Sequence, residues 1–426
     1  MFTRFVRGFL HVQIILYSAF VFADAQPRSD TLKITIKQAE DQFLKNNLLL
    51  IIQRYNIDNA GAQVITARLF PNPDFNFNNG IRASDAAQGP AYKDQSFGIS
   101  QLFSTAGKRN KNIRLANIAV EQARYQFFDL IRTLKFTLRS DFYTIYFQEQ
   151  SAGVYDREIS SLAKTLAAFK EQYKKGNIAQ KEVLRIQSQL YTLQAEYNNL
   201  QSGIDTLQKE FKLLIKAGPE TFVLPQPAFD PAGKNIVEDI PYQRLLDSAY
   251  ANRYDLRLAR ANLNYNNANL QLQKAAAVPD VSFSVNYDKL GSYGTNFLGA
   301  GLSFSLPFFS RNQGAIKQAQ IAIDQGNLQL RNQQDQVEAE LAAGYKSALR
   351  LEKLYNSFDP QFNGDFNHLI QEVFKNYQKH NISMLEFLDF YDSYKTNTIQ
   401  LNMLRLNRII SLEQLNYVTG TPFFNQ

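Results

Sequence analysis

The 426-residue sequence contains no cysteine and no tryptophan. Without cysteine there is no disulfide, no thiolate metal centre, no thiol nucleophile and no cysteine-linked lipid anchor. Three histidines and three methionines are too few for a His- or Met-rich metal site. G-x-S-x-G, H-E-x-x-H, G-x-G-x-x-G and P-loop motifs are all missing, so neither an enzyme nor a resident cofactor is expected. Beyond residue 25 no apolar run approaches the roughly 18 residues of a membrane-crossing helix. The basic excess is thin: a formal charge of +7 falls to +6 if a leader carrying Arg4, Arg7 and Asp24 is removed. That charge is scattered, not gathered into a stripe, so no nucleic-acid partner is expected. With 45% hydrophobic residues, 33 Phe and 22 Tyr, the chain is nonetheless built to pack.

The N-terminus carries an address. Arg4 and Arg7 precede an apolar stretch from Phe9 to Ala23, interrupted by His11, Gln13 and Ser18, and Ala23-Asp24-Ala25 fits a small-x-small cleavage site. Residues 1–25 read as a secretory signal peptide, with a short membrane anchor as the other reading. If the exported chain enters a membrane without an apolar helix, it must do so as a closed β-barrel.

The chain is also duplicated. IRLANIAVEQA from Ile113 matches IKQAQIAIDQG from Ile316 at an offset of 203, with five of eleven positions identical. YKKGNI from Tyr173 matches YQKHNI from Tyr377 at an offset of 204. Pro73-Asp74 matches Pro279-Asp280, and Asn46 matches Asn252, both at 206. Four collinear matches at near-constant offset mean two copies of one unit of roughly 190 residues. The boundaries expected are repeat 1 over 26–220, a Pro-rich irregular connector over 221–241, and repeat 2 over 242–426.

Each unit reads as helix, strand, strand, long helix, turn, helix. Thr31 to about Phe70 and Tyr242 to Ala277 lack internal proline and predict helices that stop before one. Period-2 alternation follows. Val281, Phe283, Val285 and Tyr287 alternate with polar residues, as do Ala300, Leu302, Phe304 and Leu306 with Gly and Ser. The first copy is weaker, with Phe75, Phe77, Phe97 and Ile99 on the apolar face. Residues 83–95 and 288–296 read as loops. From about Gly107 to Lys174 no proline intervenes, which predicts a helix about 100 Å long. Phe127, Ile131, Leu134, Leu138, Phe142 and Ile145 form its main stripe, as an antiparallel coiled coil requires.

Strands with small polar residues on one face and large apolar ones on the other suit a membrane barrel with a wet interior, although half of a soluble sandwich alternates in the same way. Four strands cannot close, about eight being the minimum for a membrane barrel, and open edges are forbidden in lipid. Several chains must each contribute four. On this reading Phe75, Phe77, Val281, Phe283, Val285, Leu302 and Phe304 face lipid.

Three recurring pieces carry a family resemblance: the helix-to-strand junctions at Pro73 and Pro279, the strand from Gly301 to Phe309, and hairpin tips of the form Y-x-x-G-x-φ at Tyr173–Glu182 and Tyr377–Glu386. Over essentially the whole mature chain the sequence resembles the TolC-type outer-membrane efflux proteins, including their cation-efflux branch. The resemblance implies an α+β membrane protein. A long α-helical barrel of antiparallel coiled-coil hairpins is joined to four β-strands per chain, and three chains make a 12-stranded outer-membrane β-barrel. It implies a homotrimer in the outer membrane of a Gram-negative bacterium, reaching into the periplasm and surrounded by outer-membrane lipid. It further implies a passive conduit served by a periplasmic adaptor and an inner-membrane pump of the RND type. Gly176, Asn177, Ile178, His380, Asn381 and Ile382 are the implied adaptor-contacting tips. Glu386, Asp389 and Glu182 are the implied acidic ring at the entrance. Arg185 stands where a second first-copy carboxylate would be, and Ile382 stands where relatives with a tip lock carry Arg. Relatives export drugs, metal cations or proteins, and the sequence leaves that choice open. A periplasmic coiled-coil adaptor without a channel is the other reading; outer-membrane fractionation and heat-modifiable migration on gels separate the two.

Overall fold

The computed structural model describes residues 30–80, 95–227, 237–290, 294–359, 361–379 and 381–424. The leader expected over 1–25, residues 83–94 of the first loop, 291–293 of the second, 228–236 of the connector, Pro360 and His380 lie outside the described residues.

Strand β1 (Thr31–Ile34) is followed by helices α1 (Ile36–Asn46) and α2 (Leu48–Arg68), then strands β2 (Asp74–Asn79) and β3 (Gln95–Phe103). The hairpin α3 (Lys108–Lys174) and α4 (Gln180–Ile215) leads to β4 (Phe222–Pro225). The second copy comprises α5 (Tyr242–Asn252), α6 (Tyr254–Ala276), β5 (Val281–Asp288), β6 (Phe297–Phe304), α7 (Gln313–Asn356), α8 (Phe362–Gln378) and α9 (Met384–Thr419).

Three expectations need correction. The stretch from Thr31 opens as a strand, not a helix. β1 pairs in parallel with β4, Leu32 opposite Val223, so the connector expected over 221–241 begins with a strand rather than irregular chain. Six strands are therefore present among the described residues, four of them in the antiparallel sheet. Thr31 to Lys37 does alternate polar and apolar residues, a strand signal that the helical pattern following it masks. Second, each leading helix breaks at one residue. Asn47 and Arg253 leave the helix with almost identical backbone angles, φ −65°, ψ 121° and φ −67°, ψ 125°. Asn47 earns its place by capping: its Oδ1 accepts from Leu50 N at 3.2 Å, and its Nδ2 donates to the Leu214 carbonyl at 3.0 Å. Third, the long second-copy helix is interrupted between Asn356 and Phe362, whereas its first-copy counterpart runs for 67 unbroken residues.

The other four strands form an antiparallel sheet in the order β2-β3-β5-β6. Its register aligns the apolar residues row by row: Phe75 with Ile99, Ile99 with Val285, Val285 with Ala300, and Phe103 with Val281 and then Phe304. Opposed residues of an antiparallel pair share a face. One face therefore carries mainly Phe, Val, Leu and Tyr, with Gln101 opposite Phe283 as a polar interruption, and the other carries mainly Ser, Asn and Gly, with Leu102 and Phe297 as apolar ones. The second copy alternates as expected, except that β6 starts and ends two residues earlier than Gly299–Leu306. Both outer strands, β2 and β6, are open edges.

The helices pack through separate cores. Leu138, Phe142, Tyr143 and Ile145 of α3 meet Phe43, Phe211, Val223 and Ile409 beside the small β1–β4 pair. The expected stripe is the face that packs: Phe127, Ile131 and Leu134 flank the same core. Far from the sheet, Leu162 and Leu166 of α3 pack with Ile186 and Leu193 of α4, Tyr377 of α8, and Phe387 and Tyr391 of α9.

Candidate functional site: strand face and hairpin tips

The two tips are built alike. In the first, Gly176 adopts φ +76°, a conformation glycine reaches without strain, and Asn177 N donates to the Gln172 carbonyl at 2.9 Å. In the second, Asn381 N donates to the Asn376 carbonyl at 2.9 Å. The asparagine side chains repeat the pattern: Asn177 Nδ2 reaches Gln172 Oε1 at 2.7 Å, and Asn381 Nδ2 reaches Asn376 Oδ1 at 3.0 Å. Gly176, Asn177 and Asn381 are exposed. Ile178 and Ile382 are partly buried and, with Met384, pack on the tip core. Tyr377 stacks on Phe387 at 4.3 Å and locks the second tip to that core.

Of the three acidic residues, Glu386 and Asp389 are exposed and three apart on α9, so they share a helical face. Glu386 has a second task. Its Oε2 accepts from Ser383 N and Ser383 Oγ, both at 2.8 Å, while Ser383 Oγ accepts from Glu386 N at 3.2 Å. This reciprocal capping box was legible as Ser383-x-x-Glu386. The backbone hydrogen bond from Ser383 holds the Glu386 carboxyl below the usual carboxylate range, so it stays charged at the positive end of α9. Glu182 occupies the same turn of α4 but is half-buried and has no capping partner in Ala179. It lies near Tyr377, whose hydroxyl is pushed up mainly by burial and further by the Glu182 charge.

Several buried charges escape a sequence reading. Arg253, 2% exposed, donates to Asp255 and, through Nη1, to Glu340 at 2.7 Å. Arg132 joins Asp255 at 3.4 Å, and Arg139 bridges Glu413 at 2.7 Å and Glu40 at 2.6 Å. Towards the tips, Glu158 is 3% exposed and its carboxylate oxygens have no hydrogen-bond partner among the described residues. Lys395 and Asp392 of α9, Glu196 of α4 and Arg157 of its own helix surround it. Burial pushes its pKa up to about 8, against the pull of Lys395. A raised acid binds its proton more tightly when folded. Its contribution is complete below the unfolded value, near 4.5, and is lost as pH rises through about 8. Glu158→Gln should therefore flatten the fall in thermal stability between about pH 5 and 8, measured as the dissociation temperature in detergent. An unchanged pH profile would mean that Glu158 is solvated.

No helix among the described residues is long and apolar enough to cross a membrane, and no group of His, Cys, Asp or Glu there could hold a metal ion. A four-stranded sheet with one largely apolar face, two open edges and a long helical stalk suits the protomer of a channel-tunnel closed by several chains.

Comparison with known proteins agrees. The outer membrane efflux protein family matches residues 40–214 and 245–421, one match on each copy of the repeat, and the chain belongs to that family. It is the outer-membrane channel-tunnel of an efflux system, which sets aside the channel-less adaptor. Over 314 residues it is 22% identical to the nickel-cobalt-cadmium resistance protein NccC of Alcaligenes xylosoxydans xylosoxydans, an alignment spanning 70% of this chain and 66% of that protein. Its fold is similar to the Campylobacter jejuni CmeC outer membrane channel, with a TM-score of 0.73 and 16% identity over 90% of this chain and 85% of the other. It is similar also to the open state of the Neisseria gonorrhoeae MtrE outer membrane channel, with a TM-score of 0.71 and 18% identity over 91% and 89%.

Proposed function

We propose that this channel carries cationic cargo, with metal cations as the substrate class. An inner-membrane pump of the RND type would supply it through a periplasmic adaptor seated on the hairpin tips, on Gly176, Asn177, Ile178, His380, Asn381 and Ile382. The observation that carries the reading is the pair Glu386 and Asp389, both exposed on one face within the first two turns of α9. Threefold repetition sets six carboxylates around the narrow end of the tunnel, with Glu182 behind them. Such a ring concentrates cations, and repulsion within it is relieved when a multivalent cation binds. The resemblance to a nickel-cobalt-cadmium resistance protein supports the same substrate class.

The test is electrical. In a planar bilayer the wild-type channel should be cation-selective and blocked by di- or trivalent cations added on the tip side. Glu386→Gln with Asp389→Asn removes both charges while a glutamine still closes the capping box. The double variant should lose most of the block and shift selectivity toward anions. Unaltered block and selectivity would reduce both residues to solvated helix charges.

A further inference from the structure

Where the sheet meets the stalk, a groove of ≈ 620 Å³ lies between α2 and α3. Its walls include Thr66, Phe70 and Pro71 on one side and Phe103, Arg109 and Asn112 on the other. A volume of this order lies within the range of about 300–1,000 Å³ that holds a small ligand. Two things fix its position in the membrane. Phe103 is the last residue of β3 and lies in register with Val281 and Phe304, on the apolar face of the sheet. The groove therefore opens on the outer surface of the molecule, at the end of the strands that leads into the periplasmic helices. Phe70 and Phe103 are both exposed there.

The charge at this level lacks a counterpart. The first turn of α3 contains Lys108, Arg109 and Lys111 and no acidic residue, so three cations stand against the positive end of a 67-residue helix. Lys108 is neutralised by Asp280 at 2.7 Å. Arg109 and Lys111 bond only backbone carbonyls: Arg109 through Nε and Nη2 to Arg68 O at 2.9 and 2.7 Å, Lys111 to Ala106 O at 2.7 Å. Neither has a carboxylate partner among the described residues. Those bonds orient the Arg109 guanidinium over the Phe70 ring, 4.1 Å from its centroid, and use two of the five N–H donors that a guanidinium carries. The Nη1 donors have no partner among the described residues, and a planar guanidinium matches phosphate oxygens well.

We propose that this groove binds the headgroup of an anionic phospholipid from the inner leaflet of the outer membrane, one per chain. Arg109 takes the phosphate, Thr66 and Asn112 lie within the same walls as polar partners, and Phe70, Pro71 and Phe103 lie along the start of the acyl chains. Basic pockets at the bilayer boundary recognise anionic headgroups in this way. The site anchors the junction between barrel and stalk at a fixed depth. It rests on the assignment of the apolar strand face to lipid.

The trimer, purified in mild detergent and given phosphatidylglycerol or phosphatidylcholine at equal concentrations, is examined by native mass spectrometry. Wild type should retain up to three phosphatidylglycerols per trimer and several-fold less phosphatidylcholine. Arg109→Gln should remove that preference, and Asn112→Asp, which keeps the Arg109–Arg68 contact and adds a negative charge, should do the same. Equal retention of the two lipids by wild type, or retained preference in both variants, would overturn the site as annular lipid only. A wrong face assignment has its own signature, since arginine at Phe283 would then be tolerated in the bilayer.

Discussion

Arginine placed at Phe283 or Val285 is expected to cost about 2–4 kcal/mol near the bilayer midplane, and arginine at Ser284 much less. At Phe304, on the periplasmic end of β6, the cost falls towards that of an interfacial site. The contrast follows from register. Phe283 lies opposite Leu302, and Val281 opposite Phe304, whereas Ser284 lies opposite Gly301 and Ser282 opposite Ser303. With the apolar face assigned to lipid, one residue of displacement along the strand would exchange hydrocarbon for a wet lumen. Folding into vesicles, followed by denaturant titration, measures the difference directly. Equal costs at both sets of positions would mean that the faces are assigned the wrong way or that the sheet does not enter lipid.

The second large effect belongs to the stalk. Arg253→Met should destabilise the protein by about 3 kcal/mol, the low end of the range for removing one partner of a buried ion pair. The low end applies because Asp255 and Glu340 keep 18% and 44% side-chain exposure, and Arg132 still reaches Asp255. The loss arises mainly because the Asp255 carboxylate, which Arg253 and Arg132 hold below its ordinary range against the cost of burial, loses its main cation. A fall of several degrees in the dissociation temperature in detergent is expected. A change under about 0.5 kcal/mol would mean that the charges are solvated and that Arg253 serves only as packing.

The sequence disclosed what repeats and what alternates. Val281 to Tyr287 and the duplicated tips were legible because period and offset are properties of the string itself. The β1–β4 pair was not, since the short alternation from Thr31 to Lys37 runs straight into a helical pattern and FVLP finds its partner only through long-range pairing. The buried charges were hidden for a different reason. Glu158 and Arg253 have the composition of ordinary solvated residues, and burial is decided by neighbours on other helices, such as Glu340 for Arg253 and Lys395 for Glu158. Glu386 falls between these cases. Its acidity suggested an entrance ring, while Ser383 three residues earlier carried an equally plain signal for a helix cap. The structure gives it the cap, and the electrical test above decides whether the ring is also real.

The absence of cysteine opens a direct test of the central claim, that three chains close one barrel. Strands β2 and β6 are the open edges of the sheet, so β6 of one chain must pair with β2 of the next. Asn76→Cys is combined in turn with Gly299→Cys, Gly301→Cys and Ser303→Cys, and each double variant is oxidised in outer membranes without background thiols. At the correct register, denaturing gels should show a covalent three-chain species that reduction returns to the monomer. Membrane-inserted protein that forms only monomers or an open-ended ladder at every register would contradict the trimeric barrel.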